Sequence, residues 1–220
     1  TGVQTCALPI CSTKVCIGYK ENNWSLPRDR QLIHSRQVNY SGTFDRTSSM
    51  CWSFVPLVEY HGGGAAATLE PLSEHLDTYK KIMVENYGAG VQACYRGPRL
   101  YDTDSTKKAV KEVIDWYKKY RIILNSDIIH LRKADGRDWD GILHVNTNNK
   151  ERGLAMFFNP TSKPITRTIK LPLYYTGLTN TAMIHEQEKT PIKYELNRDY
   201  SVMLQIKIPA NSYTWYVIEQ

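Results

Sequence analysis

Residues Val113–Pro160 read V-I-D-W-Y-K-K-Y-R-I-I-L-N-S-D-I-I-H-L-R-K-A-D-G-R-D-W-D-G-I-L-H-V-N-T-N-N-K-E-R-G-L-A-M-F-F-N-P, and the fold turns on this run. Up to about Asn125 its apolar residues recur at helical spacing, with Val113, Ile114, Tyr117 and Tyr120 on one face. The charged segment Arg132 to Asp140 then reads as a crossover and first β edge, and from Gly141 onward strand periodicity takes over. The run therefore joins two kinds of chain. The fold class it predicts is α/β plus all-β: the last units of a (β/α)8 barrel, then a C-terminal antiparallel β-sandwich.

Downstream, the strand candidates are Ile142–Val145, Leu154–Phe158, Ile165–Leu173, Thr181–Gln187, Ile192–Leu196, Val202–Ile208 and Tyr213–Ile218. Turn residues separate them, at Asn148-Asn149, Asn159-Pro160, Thr176-Gly177, Asn197-Arg198 and Pro209-Ala210-Asn211. Short strands at this spacing read as a sandwich. His185, Glu186, Glu188 and Glu195 are expected on solvated strand faces.

Upstream, the order strand, loop, helix repeats. Lys14–Tyr19, Cys51–Val58 and Val91–Tyr95 are short apolar runs. Pro27 suits the first turn of a helix through Val38, and Pro71 is expected to open a second. There Leu72, Leu76, Tyr79, Met83 and Tyr87 step by three and four, until Gly88 and Gly90 stop it. Asp102 or Asp104 is expected to cap a third. Such repetition predicts βα units and a parallel sheet. Three units cannot close an eightfold barrel, so more of the barrel is expected ahead of this chain.

The opening residues Thr1–Ile10, T-G-V-Q-T-C-A-L-P-I, look like an in-frame translation of a sequencing-adapter oligonucleotide. Cys11 would then occupy a codon altered by the same junction, and residues 1–11 are set aside from fold reasoning. Cys16, Cys51 and Cys94 remain, and their spacing matches no zinc or CxxC motif, so buried thiols are expected. No metal and no other cofactor is expected.

Composition narrows the partners. Hydrophobic residues make 41% and charged residues 23% of the 220, ordinary values for a globular protein. The net charge is +6, but the 28 basic residues are interspersed with 22 acidic ones and form no dense stripe, which argues against nucleic acid. No apolar run approaches the ~20 residues of a membrane span. The 15 tyrosines and five tryptophans fit sugar-binding surfaces and β-rich folds equally.

In βα architectures functional side chains gather where each strand hands over to its helix. Three segments qualify: Glu21 to Arg30, Glu59 to Gly64, and Cys94 to Asp102. Each mixes carboxylates, arginine or histidine, and aromatics, the combination needed to cleave a glycosidic bond and hold a sugar. Glu59, Glu21 and Asp29 are the candidate catalytic carboxylates. Trp24, Arg30, Tyr60, His61, Tyr95, Arg96 and Asp102 are the candidate substrate contacts. Simpler roles compete: Glu59 as a loop cap, Asp29 as a carboxylate favoured by a helix N-terminus, His61 bonded to a carbonyl, Arg96 and Asp102 as a structural ion pair.

The runs G-Y-K-E-N-N-W-S-L-P-R-D-R-Q-L-I-H-S-R-Q, S-M-C-W-S-F-V-P-L-V-E-Y-H-G-G-G-A-A-A-T-L-E-P-L and G-V-Q-A-C-Y-R-G-P-R-L-Y-D-T resemble bacterial proteins related to α-galactosidase-type glycoside hydrolases. D-I-I-H-L-R-K-A-D-G-R-D-W-D-G-I-L-H-V-N and L-P-L-Y-Y-T-G-L extend the resemblance, which covers Ser12 to Glu219. Cys51 and Thr147 depart from the expected Gly and Pro. The resemblance implies a barrel part over residues 12–127 and a sandwich over 128–220, with the nucleophile upstream of Ser12 and the general acid at Glu59 or Glu21. It implies a retaining hydrolase of α-linked sugars, inactive as this piece alone and partnered by a carbohydrate. A non-catalytic carbohydrate-binding or surface-attachment protein is the rival reading.

Overall fold

The computed structural model describes residues 26–42, 52–57 and 64–220. The expected strand at Lys14–Tyr19 lies outside them. Helix α1 (Arg28–Gly42) follows Pro27, whose carbonyl accepts the Gln31 N–H at 2.9 Å. Strand β1 (Trp52–Pro56), helix α2 (Leu76–Gly88) and strand β2 (Gln92–Arg96) form a βαβ unit. Its strands pair in parallel, from Trp52 opposite Gln92 to Pro56 opposite Arg96. Pro56 closes β1, an end position where its missing N–H is tolerated.

Two boundaries differ from expectation. Pro71 opens a tight turn rather than α2: Glu74 N–H bonds the Pro71 carbonyl at 3.1 Å and His75 N–H that of Leu72 at 3.2 Å, an i to i+3 pattern. Helix α3 (Asp104–Leu124) is capped by Thr103, not by either aspartate. Thr103 Oγ1 accepts the Thr106 N–H at 3.2 Å while Thr106 Oγ1 accepts the Thr103 N–H at 2.9 Å. Asp102 is occupied otherwise, as shown below.

The sandwich comprises β3 (Asp127–Arg132), β4 (Asp140–Val145), β5 (Glu151–Asn159), β6 (Ile165–Pro172), β7 (Thr181–Glu186), β8 (Ile192–Glu195), β9 (Ser201–Ile208) and β10 (Ser212–Glu219). All seven expected strands form. The eighth, β3, is an addition: it pairs antiparallel with β4, so Arg132–Asp140 is the turn of a hairpin and not itself the first β edge. Asp135 organises that turn, accepting from the Arg137 N–H at 2.9 Å and from Arg132 Nη2 at 2.6 Å. The larger sheet runs β3-β4-β5-β10-β7-β8, and β6 pairs with β9 in a second.

Strand parity explains how one sheet serves two cores. Leu154-Ala155-Met156-Phe157-Phe158 is apolar throughout because β5 is covered on both faces. Leu154, Met156 and Phe158 pack with Ile142, Val217 and the buried faces of α2 and α3. Ala155 and Phe157 pack with Leu143, Val145 and the inward residues of β6 and β9. In β9 the alternation is clean, with Val202, Leu204, Ile206 and Ile208 inside and Met203 outside. Met156 meets α2 at Gly88, where a Cβ would stand 2.9 Å from its Cε.

Helix α3 carries the seam. Trp116 meets Trp215 of β10 at 5.4 Å between ring centroids, and Tyr120 donates to Glu188 Oε1 at 2.8 Å. Glu188 also pairs with Lys119, so it is a docking residue and not a merely solvated one. The Tyr120 and Lys119 bonds hold its carboxyl below the usual range, the lysine contributing most.

Candidate active site

The site is built from the segments that leave β1 and β2. Arg28, in the first turn of α1, donates from Nη2 to the carbonyl of Ala65 and, at 2.9 Å, to that of Thr68. Gln31 Nε2 donates to the carbonyls of Leu26 and Ala66, both at 2.8 Å. These bonds fasten the start of α1 to the 3-10 turn Gly64–Ala67, where the loop after β1 returns. Arg99 then forks onto Glu70, Nε to Oε1 at 3.1 Å and Nη2 to Oε2 at 2.8 Å. Asp102 accepts from the Ser73 N–H at 3.0 Å and the Thr106 hydroxyl at 2.9 Å. Burial alone would raise the Asp102 carboxyl, but these bonds prevail and hold it below its ordinary range. The start of α1 and the chain leaving β2 are thus both fastened to residues 65–73, which follow β1.

Gly97 makes the crowding possible. A Cβ there would stand 2.2 Å from Leu57 Cβ and 2.7 Å from the Leu57 carbonyl oxygen, so the chain leaving β2 touches the chain leaving β1.

Of the candidate residues, Glu21, Trp24, Glu59, Tyr60 and His61 lie outside the described residues. Asp29 and Arg30 are exposed. Asp29 lines a cleft of about 410 Å³ with Arg36, Asp77, Lys81, Asn159 and Tyr213, between α1, α2 and the sandwich. Arg30 reaches Gly136 of the β3–β4 turn, 3.7 Å from where a Cβ would be. Arg96 ends β2. Tyr95 turns to the helices: its hydroxyl lies 2.9 Å from that of Tyr87, and Tyr87 stacks on Tyr117 at 4.4 Å. Burial, then Tyr87, pushes the Tyr95 hydroxyl far up. Arg28 and Gln31, which sequence reading passed over, are the α1 residues that reach the loop after β1.

Further along α1, near the C-terminal end of α2, sits a buried ionic cluster that sequence reading did not single out. Arg36 of α1 forks onto Asp140 of β4, Nε to Oδ1 at 2.8 Å and Nη2 to Oδ2 at 3.1 Å, and its Nη1 bonds Glu85 of α2. The side chains are 9%, 5% and 3% exposed in that order. Burial opposes the Arg36 charge, but Glu85 and Asp140 together overcome it and raise its pKa. A cavity of about 30 Å³ adjoins them, lined also by Tyr40, His130 and Arg132. The signal was parity: Asp140 shares its strand face with Ile142, so it points into the helical layer. His144, next on that face, is fully buried with Nε2 2.6 Å from the Gly88 carbonyl oxygen.

Among the described residues, no group of three or more His, Cys, Asp or Glu side chains could hold a metal ion. None of the described helices is long and apolar enough to cross a membrane.

No family model matches the chain, and no curated protein matches its sequence. Solved structures do match. The galactosidase domain of alpha-galactosidase-sucrose kinase superposes with a TM-score of 0.58 at 16% identity, over 86% of this chain and 25% of that one. A β-L-arabinopyranosidase from Geobacillus stearothermophilus gives 0.58 at 11%, over 91% and 44%. An α-galactosidase from the same organism, solved with stachyose, gives 0.57 at 15%, over 86% and 24%. The chain thus spans from about a quarter to under half the length of these structures. Over these shares its fold is similar to theirs: a parallel βαβ unit followed by a C-terminal β-sandwich.

Proposed function

We propose that the chain is the last barrel units and sandwich of a retaining glycoside hydrolase acting on α-linked sugars, α-galactosides among them. The observation that carries this reading is the fastening of α1 and of the chain leaving β2 to residues 65–73 after β1, in a fold similar to glycosidases. In this reading residues 12–127 belong to the barrel and 128–220 to the sandwich. The nucleophile lies on barrel units outside this chain. Glu59 or Glu21 supplies the proton to the departing oxygen, and the aromatic and basic side chains of the same loops hold the sugar.

On its own the chain leaves an aryl α-galactoside intact; measurable turnover would overturn the inactivity. In the parent enzyme, Glu59→Gln or Glu21→Gln lowers kcat/KM for an unactivated α-galactoside by about 10²–10⁴-fold, the range of a lost general acid. Retained binding with lost turnover supports the hydrolase. Unchanged turnover in both variants removes these carboxylates from the acid role, and sugar binding with no turnover in the unaltered parent favours the non-catalytic rival.

A further inference from the structure

The sandwich carries a feature that the hydrolytic reading does not use. Three tyrosines cluster at its surface: Tyr174 and Tyr175, in the 3-10 turn after β6, and Tyr200, in the turn before β9. They are 61%, 45% and 37% exposed. Their rings are arranged edge to face, Tyr174 with Tyr175 at 5.2 Å and 89°, and Tyr174 with Tyr200 at 5.4 Å and 70°. Grouped aromatic exposure of this kind is unlike the scattered apolar residues of an ordinary surface.

Their backbone fixes the arrangement. Tyr200 has φ of 58°, a left-handed conformation unfavourable for a bulky residue. Its carbonyl accepts the Leu173 N–H at 2.8 Å, which ties the two turns together beneath the rings. Gly177, at φ of 73°, ends the Tyr174–Thr176 turn, and a Cβ there would stand 3.1 Å from the Thr147 methyl. The tyrosines are therefore held against the β4–β5 turn.

That turn forms one wall of a cleft of about 470 Å³, which Tyr175 lines together with Ser126, Asp127, Asn146, Thr147 and Asn148. Asn146 is already set in place, its Nδ2 donating to Ser126 Oγ at 2.9 Å and its Oδ1 accepting the Asn148 N–H at 2.9 Å. Amides, hydroxyls and one carboxylate line the polar side, and neither lysine nor arginine lines the cleft. The one charged side chain in the lining, Asp127, would repel an anionic ligand. A neutral polyol meets donors and acceptors on one side and exposed tyrosine rings on the other, the mixture that orients a small ligand in a cleft.

We infer that the Tyr174/Tyr175/Tyr200 platform and this cleft form a non-catalytic binding site for a neutral oligosaccharide. The site lies on the sandwich and does not depend on the hydrolytic reading. Sugar rings stack on the tyrosines, and their hydroxyls bond Asp127 and the Asn146–Asn148 turn.

The test is titration calorimetry of the full chain with a panel of neutral oligosaccharides, galacto-, gluco-, manno- and xylo-hexasaccharides, and with a heparin hexasaccharide as the anionic arm. Binding of at least one neutral member near the millimolar range is expected. Tyr174→Ala weakens it at least tenfold, Tyr174→Phe keeps it because stacking needs the ring and not the hydroxyl, and Asn148→Ala weakens it in a chain whose aromatic platform is intact. Circular dichroism checks that each variant is folded. No neutral binding, equal binding by Tyr174→Ala, stronger binding of heparin, or a dimer that Tyr174→Ala dissolves without any sugar affinity would each overturn the site. Loss of affinity in Tyr174→Ala places the binding on the sandwich and not on the barrel loops, which keeps the outcome separate from the fate of the hydrolytic proposal.

Discussion

His144 shows what burial does to one side chain. Enclosed between β4 and the end of α2, its imidazole is stripped of water, and its pKa falls from the ordinary 6.5 to about 4. Burial is the main cause, and His130 adds to it. The native state therefore favours the neutral ring, while the unfolded chain takes up a proton first. The stability this confers is complete above pH 6.5 and is lost as pH falls toward 4. The full difference is about 3 kcal/mol. Urea unfolding across this window should show stability rising with pH, and His144→Gln should flatten that slope by up to about 1.4 kcal/mol per pH unit. An unchanged slope would mean the ring is not the titrating group. Asp140 and His144 share a strand face with Ile142, but Leu143 and Val145 make the other face more apolar, so alternation alone did not mark them as buried. Their partners were hidden as well: Arg36 and Gly88 come from distant segments.

At the scale of elements, the strand ends are the tightest part of the α/β layer. Adding a methyl group at Gly97 forces apart the chains leaving β1 and β2, since Leu57 is fully buried and cannot yield. Gly97→Ala is expected to cost about 1–3 kcal/mol in chemical denaturation, the range for overpacking a core. A neutral effect would show that the two exits are not in contact. Elements with one wet face were the most legible in the sequence: β9, with its V-M-L-Q-I-K-I alternation, needed no tertiary knowledge. Strand β3 was hidden for the opposite reason. It follows α3 after only Asn125 and Ser126, with no glycine or proline to mark the change. The start of α2 was misread because Pro71 serves a turn as well as it serves a helix.

Among the described residues, the helical layer and the sandwich are joined by a shared apolar core and a buried ionic cluster. Arg36→Met leaves Glu85 and Asp140 buried without their cation and should destabilise the chain by about 3–5 kcal/mol in urea unfolding. Exchanging all three for apolar residues of similar volume should recover most of that loss, since a buried ion pair carries a desolvation cost of its own. A single variant as stable as the original would mean the cluster is not closed in solution. The candidate active site was legible as a location, the ends of the strands, because βα order dictates where loops converge. Its fastening by Arg28, Gln31 and Arg99 was not, because each reaches a backbone or side-chain partner set by loop shape rather than by spacing.

Synthesis runs from the N-terminus, so Arg36 and Glu85 leave the ribosome well before Asp140 does. At ~5–20 residues per second the delay is several seconds. During that interval the newborn helices hold an arginine with one of its two carboxylates still to come, and Leu154, Met156 and Phe158 have yet to cover them. The nascent α/β layer is thus an incomplete object whose last charge and last wall arrive together, on β4 and β5. A ribosome pausing before Asp140 would expose that unfinished layer to chaperones and proteases, which makes the timing of the sandwich a condition for the survival of the α/β layer.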